Sequence, residues 1–173
     1  MIFHIGKYPV TSVAFDETGG ILFTAGMEGK ITAWDMRKQE ALYTLEGHED
    51  IITSLSLSPN GHTLLSDSQD NTVRTWNVQP FVAENRSISS YSGAPVGLEK
   101  NLMRANWNRD GSKIAAGSGD CTLVIWDVAS TNLLYKLPGH RGCVNDVHFS
   151  PTDSIIVSGS SDRSLLLGQL NSC

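Results

Sequence analysis

The stretch GHEDIITSLSLSPNGHTLLSDSQDNTVRTWN, residues 47–77, decides how this chain is read. It contains a histidine (His48), a serine (Ser66), an aspartate (Asp70) and a tryptophan (Trp76). The first three are the residue types of a hydrolytic triad, in which a serine attacks and a histidine carries its proton. The alternative is that all four hold backbone together. Hydrolysis needs an exposed nucleophile, and Ser66 stands inside TLLSDS without the GxSxG elbow that presents one.

Working outward, the same pattern returns. Trp34 sits in ITAWD, Trp76 in VRTWN and Trp126 in VIWD, at spacings of 42 and 50 residues. Before each lies a short alternating segment, a tight turn, a second segment, a polar turn and the segment carrying the tryptophan. The first segments are TSVAFD (11–16), TSLSLS (53–58), MRANWN (103–108) and NDVHFS (145–150). Val13, Leu55, Ala105 and Val147 share one apolar column, and Phe15, Leu57, Trp107 and Phe149 share the next. Apolar residues at every second position mark strands with a buried face. The second strands read ILFTA, TLLSD, KIAAG and IIVSG, and the third KITAWD, TVRTWN, TLVIWD and SLLLGQ. Outer strands are expected at 41–45, 86–91 and 133–137. No window has a 3.6-residue period, so the chain is all-β.

Length and composition bound the rest. A chain of 173 residues with 40% hydrophobic and 18% charged residues can bury a core without staples. A net charge of −5 and no basic run longer than Arg37-Lys38 disfavour direct nucleic-acid binding. Cys121, Cys143 and Cys173 are odd in number and lack metal spacing, which argues for a reducing compartment. His4, His62 and His148 have no ligand-spaced partner, and the GSGD of residues 117–120 precedes a strand rather than a helix. No metal or cofactor is expected. The start of the sequence lacks a charged leader with a long apolar run, and no segment reaches a membrane span of about 18 apolar residues.

Units of about 40 to 45 residues with GH near the start and WD at the end are the signature of WD40 repeats, four-stranded blades of a propeller. Gly47-His48, Gly139-His140, Trp34-Asp35 and Trp126-Asp127 are those marks here. Within that family the chain resembles the WD-repeat subunits of the U5 small nuclear ribonucleoprotein, on EKNLMRANW (99–107), DGSKIAAGSGD (110–120), LLYKLPGHRG (133–142) and SGSSDRSLLLGQL (158–170). The resemblance implies a non-catalytic nuclear scaffold in pre-mRNA splicing, bound to the large central U5 splicing factor. The alternatives are a WD40 adaptor in ubiquitin ligation or signalling and, remotely, a serine hydrolase.

The WD40 pattern assigns His48, Ser66, Asp70 and Trp76 to one hydrogen-bonded chain within a blade. Partial sets are Thr24, Glu28 and Trp34 in the first repeat, Asp120 and Trp126 in the third, and His140, Ser158 and Asp162 in the fourth. Repeats are expected at 8–46, 47–96, 97–138 and 139–173, with a loop insertion at 80–101. Candidate partner contacts lie on the loops of one face: Tyr8, Glu49, Asp50, Gln69, Arg141 and Ser161.

The family has seven blades, and four such blades cover only about 206° of a ring. Residues 1–5 match the end of an outer strand, and the last repeat lacks its own. The reading therefore predicts a partial ring or half of a dimeric one, a homodimer closing eight blades. The rival is a longer native chain with three further blades.

Overall fold

The computed structural model describes residues 7–82 and 85–170. Alternating segments separated by polar turns pair with their neighbours, so order in space follows order in sequence. The first sheet comprises β1 (Val10–Phe15), β2 (Ile21–Gly26), β3 (Lys30–Asp35) and β4 (Glu40–Glu46). The second comprises β5 (Ile52–Leu57), β6 (Thr63–Ser68), β7 (Thr72–Asn77) and β8 (Ser87–Ser92). The third comprises β9 (Ala105–Trp107), β10 (Lys113–Gly117), β11 (Thr122–Asp127) and β12 (Leu133–Pro138). The fourth has three strands among the described residues, β13 (Val144–Phe149), β14 (Ile155–Ser160) and β15 (Leu165–Gln169). No helix occurs among the described residues. This is an arc of four propeller blades.

The turn before each third strand has one recurring device. Its third residue has positive φ: Gly29 at 69°, Asn71 at 66°, Cys121 at 67° and Arg163 at 70°. Glycine adopts this conformation freely, whereas a Cβ there costs roughly 1–2 kcal/mol. The preceding aspartate holds the turn. Asp70 Oδ1 accepts the Thr72 N–H at 2.8 Å, Asp162 Oδ1 accepts the Ser164 N–H at 2.8 Å, and Asp120 Oδ1 accepts the Thr122 hydroxyl at 2.5 Å.

Register aligns the blades residue by residue. Val13 pairs with Thr24, Leu55 with Ser66, Ala105 with Ala116 and Val147 with Ser158. Leu22 pairs with Trp34, Leu64 with Trp76, Ile114 with Trp126, and Ile156 with Gly168. Gly168 thus occupies the tryptophan column.

A single sheet has no interior, so the core lies between blades. Phe23, Ile31 and Ala33 pack against Ile52, Leu64 and Trp76 at the first junction. Leu65, Val73 and Tyr91 meet Ala105, Ile114 and Trp126 at the second, and Ala115, Leu123 and Ile125 meet Val144, Val147 and Ile156 at the third. Polar bonds cross as well: Ser12 Oγ accepts the Leu55 N–H at 2.9 Å, and Ser54 Oγ accepts the Ala105 N–H at 3.1 Å.

One expectation needs correcting. Val13 and Phe15 fall in apolar columns that are buried or half-buried in the other blades, yet they are 57% and 53% exposed, because their column packs on a preceding blade and none stands there among the described residues. Within the 80–101 insertion, β8 pairs with β7 close to the outer strand expected at 86–91. The outer-strand reading of residues 1–5 lies outside the described residues.

Cys121→Gly and Arg163→Gly should each stabilise the protein by roughly 0.5–1 kcal/mol, because they relieve the Cβ penalty without removing the Asx turn. Urea unfolding midpoints check this; a loss of stability would show that the side chains contribute more than the strain they impose.

Candidate functional site

The four side chains of the second blade converge. Strand alternation puts Ser66 on β6 and Trp76 on β7 on the same face, and the loop after β4 brings His48 over them. The Trp76 indole N–H donates to Ser66 Oγ at 2.8 Å. Ser66 Oγ lies 2.7 Å from His48 Nε2, and His48 Nδ1 lies 2.8 Å from Asp70 Oδ2. Gly47 makes room for this approach: its φ is 154°, and a Cβ would sit 3.1 Å from the Trp76 ring and 3.0 Å from the Arg74 guanidinium.

Charge state follows from burial. Burial pushes the His48 imidazole below its ordinary 6.5, outweighing the opposing pull of Asp70. Burial alone would raise Asp70, but hydrogen bonds from Thr72, His48 and the Glu49 N–H hold it below 3.8. A neutral imidazole beside an ionised carboxylate fixes every proton. Nδ1–H donates to Asp70, and Nε2 accepts the Ser66 hydroxyl, whose oxygen accepts the indole N–H. Ser66 is 0% exposed, as is the His48 side chain. The hydroxyl is sealed from any substrate, and the arrangement is suited to holding β5, β6 and β7 together.

The other blades carry parts of the chain. Trp34 donates to Thr24 Oγ1 at 2.9 Å, while Glu28 pairs with Lys30 at 3.3 Å. Trp126 finds Ala116 where Ser66 would be, so its indole donates instead to the Ser92 carbonyl of the preceding blade at 2.9 Å. Asp120 pairs with Lys136 at 2.6 Å. His140 lies 2.8 Å from Ser158 Oγ and 3.1 Å from Asp162, with no indole beyond. The Ser164 hydroxyl and the Arg141 N–H hold Asp162 far below the usual carboxylate range.

Strand alternation places the loops leading into each blade and the turns before each third strand on one rim. Tyr8, Glu49, Arg141 and Ser161 are exposed there, and Asp50 is half-buried with its carboxylate 3.7 Å from Lys100 Nζ. Gln69, expected as a contact residue, is buried: its Nε2 donates to the Lys100 carbonyl at 2.9 Å and it packs under the insertion. It is not an accessible rim residue.

Sequence reasoning passed over Asp67. It stands in a register column otherwise filled by Ala25, Gly117 and Gly159, and a lone carboxylate in a small-residue column was the available signal. Burial holds it well above 3.8, and its Oδ2 and the Gln69 Oε1 lack hydrogen-bond partners among the described residues.

Comparison with known proteins now bears on this geometry. The family model "WD domain, G-beta repeat" matches residues 2–35, 39–77, 87–127 and 131–167. The chain belongs to the WD40 family. Among WD40 relatives, the U5 small nuclear ribonucleoprotein 40 kDa protein of Homo sapiens is 45% identical over 163 residues, 94% of this chain and 46% of the relative. The pre-mRNA-splicing factor cwf17 of Schizosaccharomyces pombe is 46% identical over 165 residues, 95% of this chain and 48% of the relative. A WD repeat-containing protein 26 homolog of Arabidopsis thaliana is 30% identical over 156 residues, 88% of this chain and 25% of the relative. The chain spans about half the length of the splicing relatives it matches.

Stability should depend on pH with a sign that each group fixes. His48 and Asp70 have depressed folded values, so their contributions are present above 6.5 and 3.8 respectively and are lost as pH falls through the folded values. Asp67 has a raised folded value, so its contribution is present below 3.8 and lost as pH rises through that value. Melting temperatures between pH 3 and 8 should show a flatter profile below pH 6.5 for His48→Gln, and for Asp67→Asn a smaller loss of stability as pH rises above 3.8. Ser66→Ala, which leaves an indole N–H and an imidazole nitrogen unpaired, should cost roughly 1–3 kcal/mol at neutral pH.

Proposed function

We propose that this chain is a non-catalytic protein-interaction scaffold of the nuclear pre-mRNA splicing machinery. The observation that carries this reading is 45% identity to a U5 small nuclear ribonucleoprotein subunit across 94% of the chain. The geometry supports the non-catalytic part. Both constellations with triad chemistry, His48, Ser66 and Asp70 in the second blade and His140, Ser158 and Asp162 in the fourth, have their serine and their histidine side chain buried inside a blade. The rim supplies exposed side chains of both charges, Glu49 and Arg141 among them, on a backbone fixed by the blades beneath. A surface of this kind suits protein docking. The net charge of −5 opposes a polyanion as the principal ligand. The partner implied by the resemblance is the large central U5 splicing factor.

Recovery from nuclear extract tests this. The tagged chain should co-purify U5 components, and Glu49→Arg combined with Arg141→Glu should reduce recovery several-fold while leaving the melting temperature unchanged. Absence of every U5 component with the folded chain would reject the splicing role. A different adaptor role, in keeping with the 30% identity to the WD repeat-containing protein 26 homolog, would then show as another reproducible set of partners. A fluorophosphonate probe should leave Ser66 unlabelled; stoichiometric labelling would reverse the non-catalytic reading.

A further inference from the structure

The internal junction between the third and fourth blades carries two thiols. Cys121 is the positive-φ residue of the turn before β11, and Cys143 ends the loop that enters the fourth blade. The N–H groups of Gln69, Gly119 and Ser161 donate to the carbonyls of Ile51, Pro95 and Cys143, which marks these three as equivalent residues of the entry loops. At each earlier junction the positive-φ residue faces that loop in the next blade. A Cβ on Gly29 would lie 3.3 Å from the Asp50 carbonyl oxygen, one residue before Ile51. Asn71 Oδ1 accepts the Val96 N–H at 2.7 Å, one residue after Pro95. Cys121, equivalent to Gly29 and Asn71, is therefore aimed at the segment that holds Cys143. From the other side, Cys143 Sγ lies 3.6 Å from the carbonyl oxygen of Gly119, two residues before Cys121. Both thiols are free.

The two differ in access. Cys143 is buried, and its S–H donates to Glu99 Oε2 at 3.7 Å. Burial raises this thiol above its ordinary 9.0, and Glu99 and the neighbouring Cys121 add to the rise. Cys121 is half-buried and reaches solvent. An accessible thiol beside a second, sheltered one suits a sensing pair, in which the first is oxidised and the second resolves it.

We propose that Cys121 and Cys143 form a reversible disulfide across this junction when hydrogen peroxide is present. The Cys121 sulfur attacks one peroxide oxygen, the O–O bond breaks, and water leaves with a sulfenic acid on Cys121. The Cys143 sulfur then attacks the Cys121 sulfur as its proton passes to the Glu99 carboxylate. The S–O bond breaks, and the departing hydroxide takes that proton as a second water. The two sulfurs lose two electrons and the peroxide gains them. Reduced glutathione reverses the bond by thiol–disulfide exchange, so the pair stays open in a reducing compartment until oxidant rises. Closing the bond removes the S–H that Glu99 accepts and so breaks one tether between the 80–101 insertion and the fourth blade. The site does not rest on the splicing reading.

Excess hydrogen peroxide should lower the mass of the folded Cys173→Ser chain by about 2 Da, the two hydrogens lost on forming a disulfide. Digestion without reductant should join the peptides containing Cys121 and Cys143, and reduced glutathione should restore the mass. Cys143→Ser should leave a sulfenic acid on Cys121 that dimedone traps. Cys121→Gly, which the turn accepts, should leave the buried Cys143 unoxidised. Linking no faster in the folded chain than in urea would overturn the proposal. So would dimedone trapping on Cys143 instead of Cys121, and so would disulfides formed only between chains.

Discussion

Each blade of this protein has two apolar faces and no interior, and it must bury both. This constraint orders the rest of the structure. A strand period of two sends Leu64, Ser66 and Trp76 to one side of the second blade and Leu65, Asp67 and Val73 to the other. The core is consequently a series of slabs between sheets. Leu64, Leu65 and Ile114 are fully buried although no blade is thicker than one sheet. Burial at about 25 cal/mol per Å² of apolar surface is the dominant stabilising contribution. It is gained only when a neighbour is present.

Stacking by apolar area alone leaves blades free to slide over one another, and the polar groups remove that freedom. The bonds from Leu55 to Ser12 and from Ala105 to Ser54 fix the height of one inner strand against the next. Within the second blade, the chain from Trp76 through Ser66 and His48 to Asp70 ties the incoming loop to the third strand. Each link is worth about 0.5–1.5 kcal/mol net, less than the apolar slabs around it, but buried and directional. The network contributes more to registration than to gross stability. The rim above it inherits that precision, since Glu49 donates its N–H to the same Asp70 carboxylate that holds His48.

Most of this was legible in the sequence because it depends on local chemistry and period. The alternating columns, the turn aspartates and the GH and WD marks are all properties of short segments. The features that were not legible depend on what stands opposite. Val13 reads like Leu55 in sequence, yet no blade among the described residues packs on it and it is exposed. Gln69 reads as a polar turn residue, yet the carbonyl of Lys100, thirty-one positions later, draws it inward. Trp126 reads like Trp76, but Ala116 denies it a hydroxyl and its indole turns to the preceding blade. Asp67 occupies a small-residue column that a sequence scan for triads had no reason to weigh.

The fourth blade shows which part of the polar chain persists without the indole. Gly168 has displaced the tryptophan, and Leu166 has moved under the loop, where its Cδ1 lies 2.7 Å from the position a Cβ on Gly139 would take. His140 nevertheless keeps Ser158 at one nitrogen and Asp162 at the other, with the Arg141 N–H on the same carboxylate. The indole can therefore be exchanged for apolar bulk. In the third blade the imidazole is absent together with its serine: Ala116 replaces the hydroxyl and Lys136 takes the Asp120 carboxylate, so no partner is stranded. The first blade argues the same way from the other end: Trp34 and Thr24 remain bonded, but the Glu28 carboxylate has gone to Lys30. Two short links, indole to hydroxyl and carboxylate to imidazole to hydroxyl, are separable units joined at the serine position. Among the described residues the second blade alone carries both, and its incoming loop and turn also meet the insertion, through Asp50 and Gln69 at Lys100.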